Sequence, residues 1–161
     1  AERAGLSIGS LYKYFPNRAA ILKALYEDAS LEFARVIGKM TLQILDMPTQ
    51  QGMTQTMRNV VAMHENSRLI LLRLVDELPE LRLQNQPMAF HNLVRSNIRA
   101  YIQHRNPQLR PKEIACRVFF IERIVFSCID GYLTDEPQGM THRKFASYLG
   151  NIISNIIDAP A

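Results

Sequence analysis

A chain of 161 residues, 47% of them hydrophobic and 21% charged, is long enough to bury a core and too apolar to stay disordered. Every apolar run falls short of the ~20 residues that a membrane span needs, and no secretory leader is visible, so a cytoplasmic protein with no membrane partner is expected. The net charge of +4 is uneven: up to Tyr26 there are Arg3, Lys13, Arg18 and Lys23 against Glu2 alone, while the remainder is nearly balanced, which points to a nucleic-acid contact surface at one end.

In chain order, residues 1–18 read as the end of one helix, a tight turn at Gly5 and a short helix from Ile8 to Tyr14. Pro16 stops that helix and Asn17 caps the next. This is the second half of a helix-turn-helix, which lays a short helix in the DNA major groove. The chain opens in mid-motif, without an initiator Met or most of the preceding helix. The expectation is therefore that the intact protein, rather than this segment alone, reads DNA.

From Asn17 a long helix is expected to run to about Asp46-Met47-Pro48, with Ile21, Leu25, Phe33, Ile37 and Ile44 at helical spacing. Helices from about Gln51 to His64 and from Ser67 to Leu78 follow, then a connector bracketed by Pro79 and Pro87. A helix from Met88 to Arg105, a turn through Pro107 and Pro111, and helices over Lys112–Leu133 and Thr141–Ile157 complete an all-α chain. The partial helix-turn-helix DNA-binding domain is placed at residues 1–35, and an α-helical ligand-binding and dimerisation domain at 36–161.

The two cysteines, Cys116 and Cys128, fall in one helix. They are roughly 18 Å apart, beyond disulfide reach, and are expected as buried thiols. The last two helices are apolar over more than one stripe, as helices covered on two sides are. A second copy of the chain is the expected cover, since a reader of palindromic DNA needs two-fold symmetry. The expected homodimer interface is Phe119, Phe120, Arg123, Ser127, Phe145, Leu149, Ile152, Ile153 and Ile156.

In the short helix, Ser7 is a good N-cap, and Ile8, Leu11 and Phe15 share an inward face. Gly9, Ser10, Tyr12, Lys13 and Tyr14 are left to face outward. Gly9 costs about 1 kcal/mol against Ala in a helix, offset if its missing side chain lets Ser10 approach base edges. Lys13 suits a guanine edge or a phosphate, and the tyrosine hydroxyls suit phosphates. Arg18, in the first turn of the next helix, sits where free amides and its own charge both attract phosphate. Taken singly, the tyrosines read as packing residues and the cations as solvated charges; their order and spacing carry the functional reading.

The stretch Ala4–Arg18, Ala-Gly-Leu-Ser-Ile-Gly-Ser-Leu-Tyr-Lys-Tyr-Phe-Pro-Asn-Arg, resembles the DNA-binding signature of the TetR/AcrR family of bacterial transcriptional regulators. Two positions depart from it: Arg18 stands where Lys is usual, and Ala19 where an acidic residue is common. The resemblance implies a double-stranded DNA operator contacted by Ser7, Ser10, Tyr12, Lys13 and Tyr14. It also implies dimerisation through the last two helices, and a repressor released by a small-molecule effector. Candidate pocket residues are Met53, Met57, His64, Arg68, Phe90, His91, Val94, Asn97 and Tyr101, methionine being adaptable to irregular apolar ligands.

An enzyme is the competing class, but His64, His91, His104 and His142 form no metal-ligand spacing and no phosphate loop or nucleophile motif is present. Neither metal nor cofactor is expected. Glu122, the one carboxylate in an apolar helix, is expected to pair with Arg123, Arg117 or a residue of the second copy. A further alternative is a DNA-bound adapter whose helical domain holds a protein. An enclosed cavity favours the sensor; a filled core with an exposed apolar patch favours the adapter.

Overall fold

Among the described residues every regular element is an α-helix, six in all. The structure, a computed structural model, describes the backbone of residues 8–78, 86–135 and 137–160, and their side chains except at 8, 10, 11 and 67–76. The helices are α1 (Ile8–Tyr14), α2 (Arg18–Gln43), α3 (Thr49–Glu77), α4 (Met88–Arg105), α5 (Pro111–Asp135) and α6 (His142–Asp158). No helix among these residues is long and apolar enough to cross a membrane.

The helix starts follow local chemistry. Asn17 Oδ1 accepts from the Ala20 amide at 2.9 Å, satisfying one free donor of α2. Pro111 is the first residue of α5, and Glu113 reaches back to the Arg110 amide at 2.7 Å, half of a capping box. Thr141 caps α6 by accepting from the Lys144 amide. α2 stops at Gln43, a few residues before the expected end, because the Ile44 amide turns back to the Thr41 carbonyl and Met47 to Ile44.

Residues 51–78 were expected as two helices and form one. The polar stretch Glu65-Asn66-Ser67 interrupts the apolar period without supplying a breaker, since α3 contains no proline and its lone Gly52 lies in the first turn. Propensity differences among these residues are a few tenths of a kcal/mol and cannot end a helix held by packing.

α3 and α6 run antiparallel and close together. Thr49 Oγ1 lies 3.0 Å from Asp158 Oδ1 at one end, and Glu65 lies 3.2 Å from His142 Nε2 at the other. Between them Gly150 meets Thr54 so closely that a Cβ on Gly150 would fall 2.6 Å from Thr54 Cα. α2 packs on α4, where Asn97 Nδ2 donates to the Ala34 carbonyl at 3.1 Å.

The main core joins α3, α4, α5 and α6 through residues such as Val61, Ile102, Ile121, Leu149 and Ile157, each a burial worth about 2 kcal/mol. A smaller cluster of Ala34, Phe90 and Val94 links α2 to α4. Arg117, although buried, bonds the carbonyls of Ile157 and Ala159, both at 2.6 Å. Asn106 takes Ile157 as well, so the open C-terminus of α6 is satisfied by side chains.

The thiols correct one expectation: Cys116 is exposed and Cys128 half-buried. Position 116 shares the outer stripe of α5 with Phe119, Phe120 and Arg123, which its apolar neighbours in sequence disguise. The boundary placed at residue 35 falls within α2, so one continuous helix belongs to both proposed units.

Candidate functional site

α1 is a seven-residue helix. Gly9, Tyr12, Lys13 and Tyr14 are all exposed, Tyr14 at 82% of its surface, and Phe15 just beyond is half-buried. Tyr12 and Tyr14 thus present exposed rings on either side of Lys13 in sequence. They match the polar, cationic surface that phosphates and base edges require. Ser7 lies outside the described residues; Ser10 lies on α1, its side chain outside them, as are those of Ile8 and Leu11.

Arg18 opens α2, where the main-chain amides lack intrahelical acceptors. Its Nη2 donates to Glu77 Oε1 at 2.8 Å, an exposed pair that joins the start of α2 to the end of α3. Lys13 lies in the last turn of α1 and Arg18 is the first residue of α2, two exposed cations five residues apart, the second paired with Glu77.

A short exposed helix followed by a proline stop and a capped long helix is the reading half of a helix-turn-helix. The chain is a DNA-binding transcriptional regulator. Residues 1–25 match the family model "Bacterial regulatory proteins, tetR family". Comparison with curated proteins finds no match.

The expected pocket residues fall into separate groups. Met53, Met57 and Tyr101 are buried in the main core, and Phe90 and Val94 in the smaller cluster. His64 is buried, its Nδ1 2.9 Å from the Val60 carbonyl and its ring edge-on to Phe33. Burial holds His64 below the usual imidazole range, against the opposing effect of that hydrogen bond. Asn97 is committed to Ala34 and His91 to Glu122. The side chain of Arg68 lies outside those described.

Glu122 corrects another expectation. Its carboxylate, 3% exposed, bonds Arg95 Nε at 2.8 Å and His91 Nδ1 at 2.9 Å, both on α4, rather than Arg117 or Arg123. Arg117 serves the end of α6 and Arg123 lies over the Phe119 ring. The available signal was His91 and Arg95 standing four residues apart on one face of a helix, a ready cradle for a buried carboxylate.

The expected dimer residues divide. Phe119, Phe120, Arg123, Ser127 and Ile152 are exposed and Ile156 is half-buried. Phe145, Leu149 and Ile153 are instead buried inside the subunit, which corrects their assignment to a surface between copies. Phe145 stacks on Tyr132 with ring centroids 4.1 Å apart. Tyr148 is likewise exposed, one turn from Ile152, and completes the outer apolar face.

A cavity of about 330 Å³ lies elsewhere, lined by Arg58, Ala62, His142 and Arg143. None of the expected pocket residues lines it.

Proposed function

We propose that the chain is a ligand-responsive cytoplasmic repressor that binds a palindromic operator as a homodimer and is released by a small-molecule effector. The observation that carries this reading is the exposed Tyr12-Lys13-Tyr14 face of α1, joined through the single helix α2 to the helical body. DNA is contacted by Ser7, Gly9, Ser10, Tyr12, Lys13, Tyr14 and Arg18. The two copies meet through Phe119, Phe120, Tyr148 and Ile152, large apolar side chains that water otherwise covers.

The effector acts by linkage. A ligand that prefers the conformation with misaligned DNA-reading helices lowers operator affinity by its differential affinity for the two states, commonly about 1–3 kcal/mol. α2 is the lever, since it packs on α4 and carries Arg18 at its tip.

A second reading, the DNA-bound adapter, is favoured by the packing of Met53, Met57, Phe90, Val94 and Tyr101 within cores. Selection of bound duplexes from a random pool, followed by anisotropy titration with the intact protein, tests both. The repressor reading expects a near-palindromic consensus with half-sites about 34–36 Å apart or a multiple, and release by a small-molecule fraction. Monomeric binding to non-palindromic DNA overturns the dimeric reader. Release by a protein alone replaces the sensor with the adapter.

A further inference from the structure

The cleft between α3 and α6 is lined by two arginines, a histidine and an alanine. Arg58 and Ala62 stand one turn apart on α3, and His142 and Arg143 are the first two residues of α6. The cleft holds about 330 Å³ and is open to solvent. Arg58 and Arg143 have no ion-pair or hydrogen-bond partner among the described residues, whereas Arg18, Arg35, Arg95 and Arg110 each hold a carboxylate. The acid at the rim, Glu65, is taken by His142.

Two guanidinium groups line one space, and no carboxylate among the described residues pairs with either. Thr141 takes the Lys144 amide, while the amides of His142 and Arg143 begin α6 without intrahelical acceptors. Ala62 keeps one wall small. Fixed positive charge from two side chains, together with free N–H groups at the end of a 17-residue helix, fits an oxyanion held by paired, charge-assisted hydrogen bonds.

The cleft is separate from the surfaces already described. Arg58 lies about 28 Å along α3 from Glu77, the residue that meets Arg18. Tyr148 and Ile152 lie about 140° and 180° round α6 from Arg143, on the opposite side from the cleft.

We propose that the α3–α6 cleft binds a small molecule through an oxyanion group, phosphoryl or carboxylate, held by Arg58 and Arg143 with the N-terminus of α6. Calorimetric titration of the intact protein, without DNA and at matched ionic strength, tests it with inorganic phosphate in one arm, acetate in a second and chloride as the reference. Saturable binding of phosphate or acetate above the chloride reference is expected, and the arm that saturates identifies the group. The double variant Arg58→Gln/Arg143→Gln weakens that binding by about tenfold or more. Arg35→Gln, an exposed cation on α2, leaves it within about twofold. All four cleft side chains are exposed, so the double variant keeps its helical circular dichroism, which is recorded alongside. Saturation in neither arm, or binding that the double variant retains in full, overturns the proposal.

Discussion

Arg18 and Glu77 meet at 2.8 Å, tying the first residue of α2 to the last residue of α3 across 59 positions of sequence. The pair is exposed on both sides, so its own contribution to stability is small, about 0–1 kcal/mol. Its effect on DNA binding is larger in kind, because Glu77 neutralises a cation that the proposed operator contact uses. Glu77→Gln is expected to tighten operator binding about two- to fivefold. Arg18→Gln is expected to weaken it and reduce the slope of log K against log salt by about 0.9. Anisotropy titrations over a salt series measure both; equal slopes for Arg18→Gln and the parent protein remove Arg18 from the contact set.

Tyr14 and Ser10 are assigned different jobs on α1. Tyr14, exposed and hydroxyl-bearing, serves a phosphate, so Tyr14→Ala is expected to weaken binding on all duplexes by about fivefold, the loss of one ordinary hydrogen bond. Ser10→Ala is expected to change which duplexes are preferred. Competition between the selected operator and single-base variants distinguishes them, and the same uniform loss from both substitutions removes the assignment.

Neighbouring isoleucines of α6 are predicted to fail differently. Ile152 is 43% exposed, so Ile152→Glu should leave a folded monomer in sedimentation velocity. Ile153 is 2% exposed, so Ile153→Glu places a charge in the core and should cost several kcal/mol, seen as a lowered thermal midpoint whatever the assembly state. An unchanged dimer in Ile152→Glu counts against the α5–α6 face.

Gly150 is a packing glycine. Its replacement by Ala adds about 1 kcal/mol of helix propensity, yet the new Cβ would stand 2.6 Å from the backbone of Thr54, which has no rotamer to yield. Separation of α3 and α6 should dominate, with a net loss of about 1–3 kcal/mol by urea unfolding. A stabilised Gly150→Ala protein contradicts this contact.

His64 gives stability a pH dependence of definite sign. Burial lowers its folded value below 6.5, so the folded state takes up a proton less readily than the unfolded chain. Its contribution is complete above about pH 6.5 and declines as pH falls from there through the depressed folded value. His64→Gln should flatten the fall in urea midpoint between pH 7.5 and 5 relative to the parent. An identical fall in both proteins assigns the dependence to other groups.

Much of this molecule was legible one residue at a time. The Asn17 cap, the Pro16 stop, Pro111 at the start of α5 and Thr141 before α6 act within a turn of where they stand, and the structure shows each in place. The division of 51–78 was misread because a polar triplet weakens a pattern without breaking a backbone. Glu122 was recognised as anomalous from its apolar neighbours, but its partners lie 27 and 31 residues away on another helix, and no local rule selects them over Arg117 or Arg123.

By itself, then, the amino-acid sequence determined the all-α class, the helix caps and a DNA-reading segment, because periodicity, capping and a short ordered motif are properties of adjacent residues. Tertiary structure alone decided which apolar residues of α6 are spent inside the subunit. Phe145, Leu149, Ile152 and Ile153 are equally hydrophobic in kind, and three are covered while Ile152 stays open. Hydrophobicity dictates that a side chain leaves water, not which neighbour removes it. That choice follows from the Gly150–Thr54 contact, which sets the side of α6 turned to α3. The same packing brings Arg58 of α3 to Arg143 of α6 across 85 residues, a convergence that no spacing in the sequence announces.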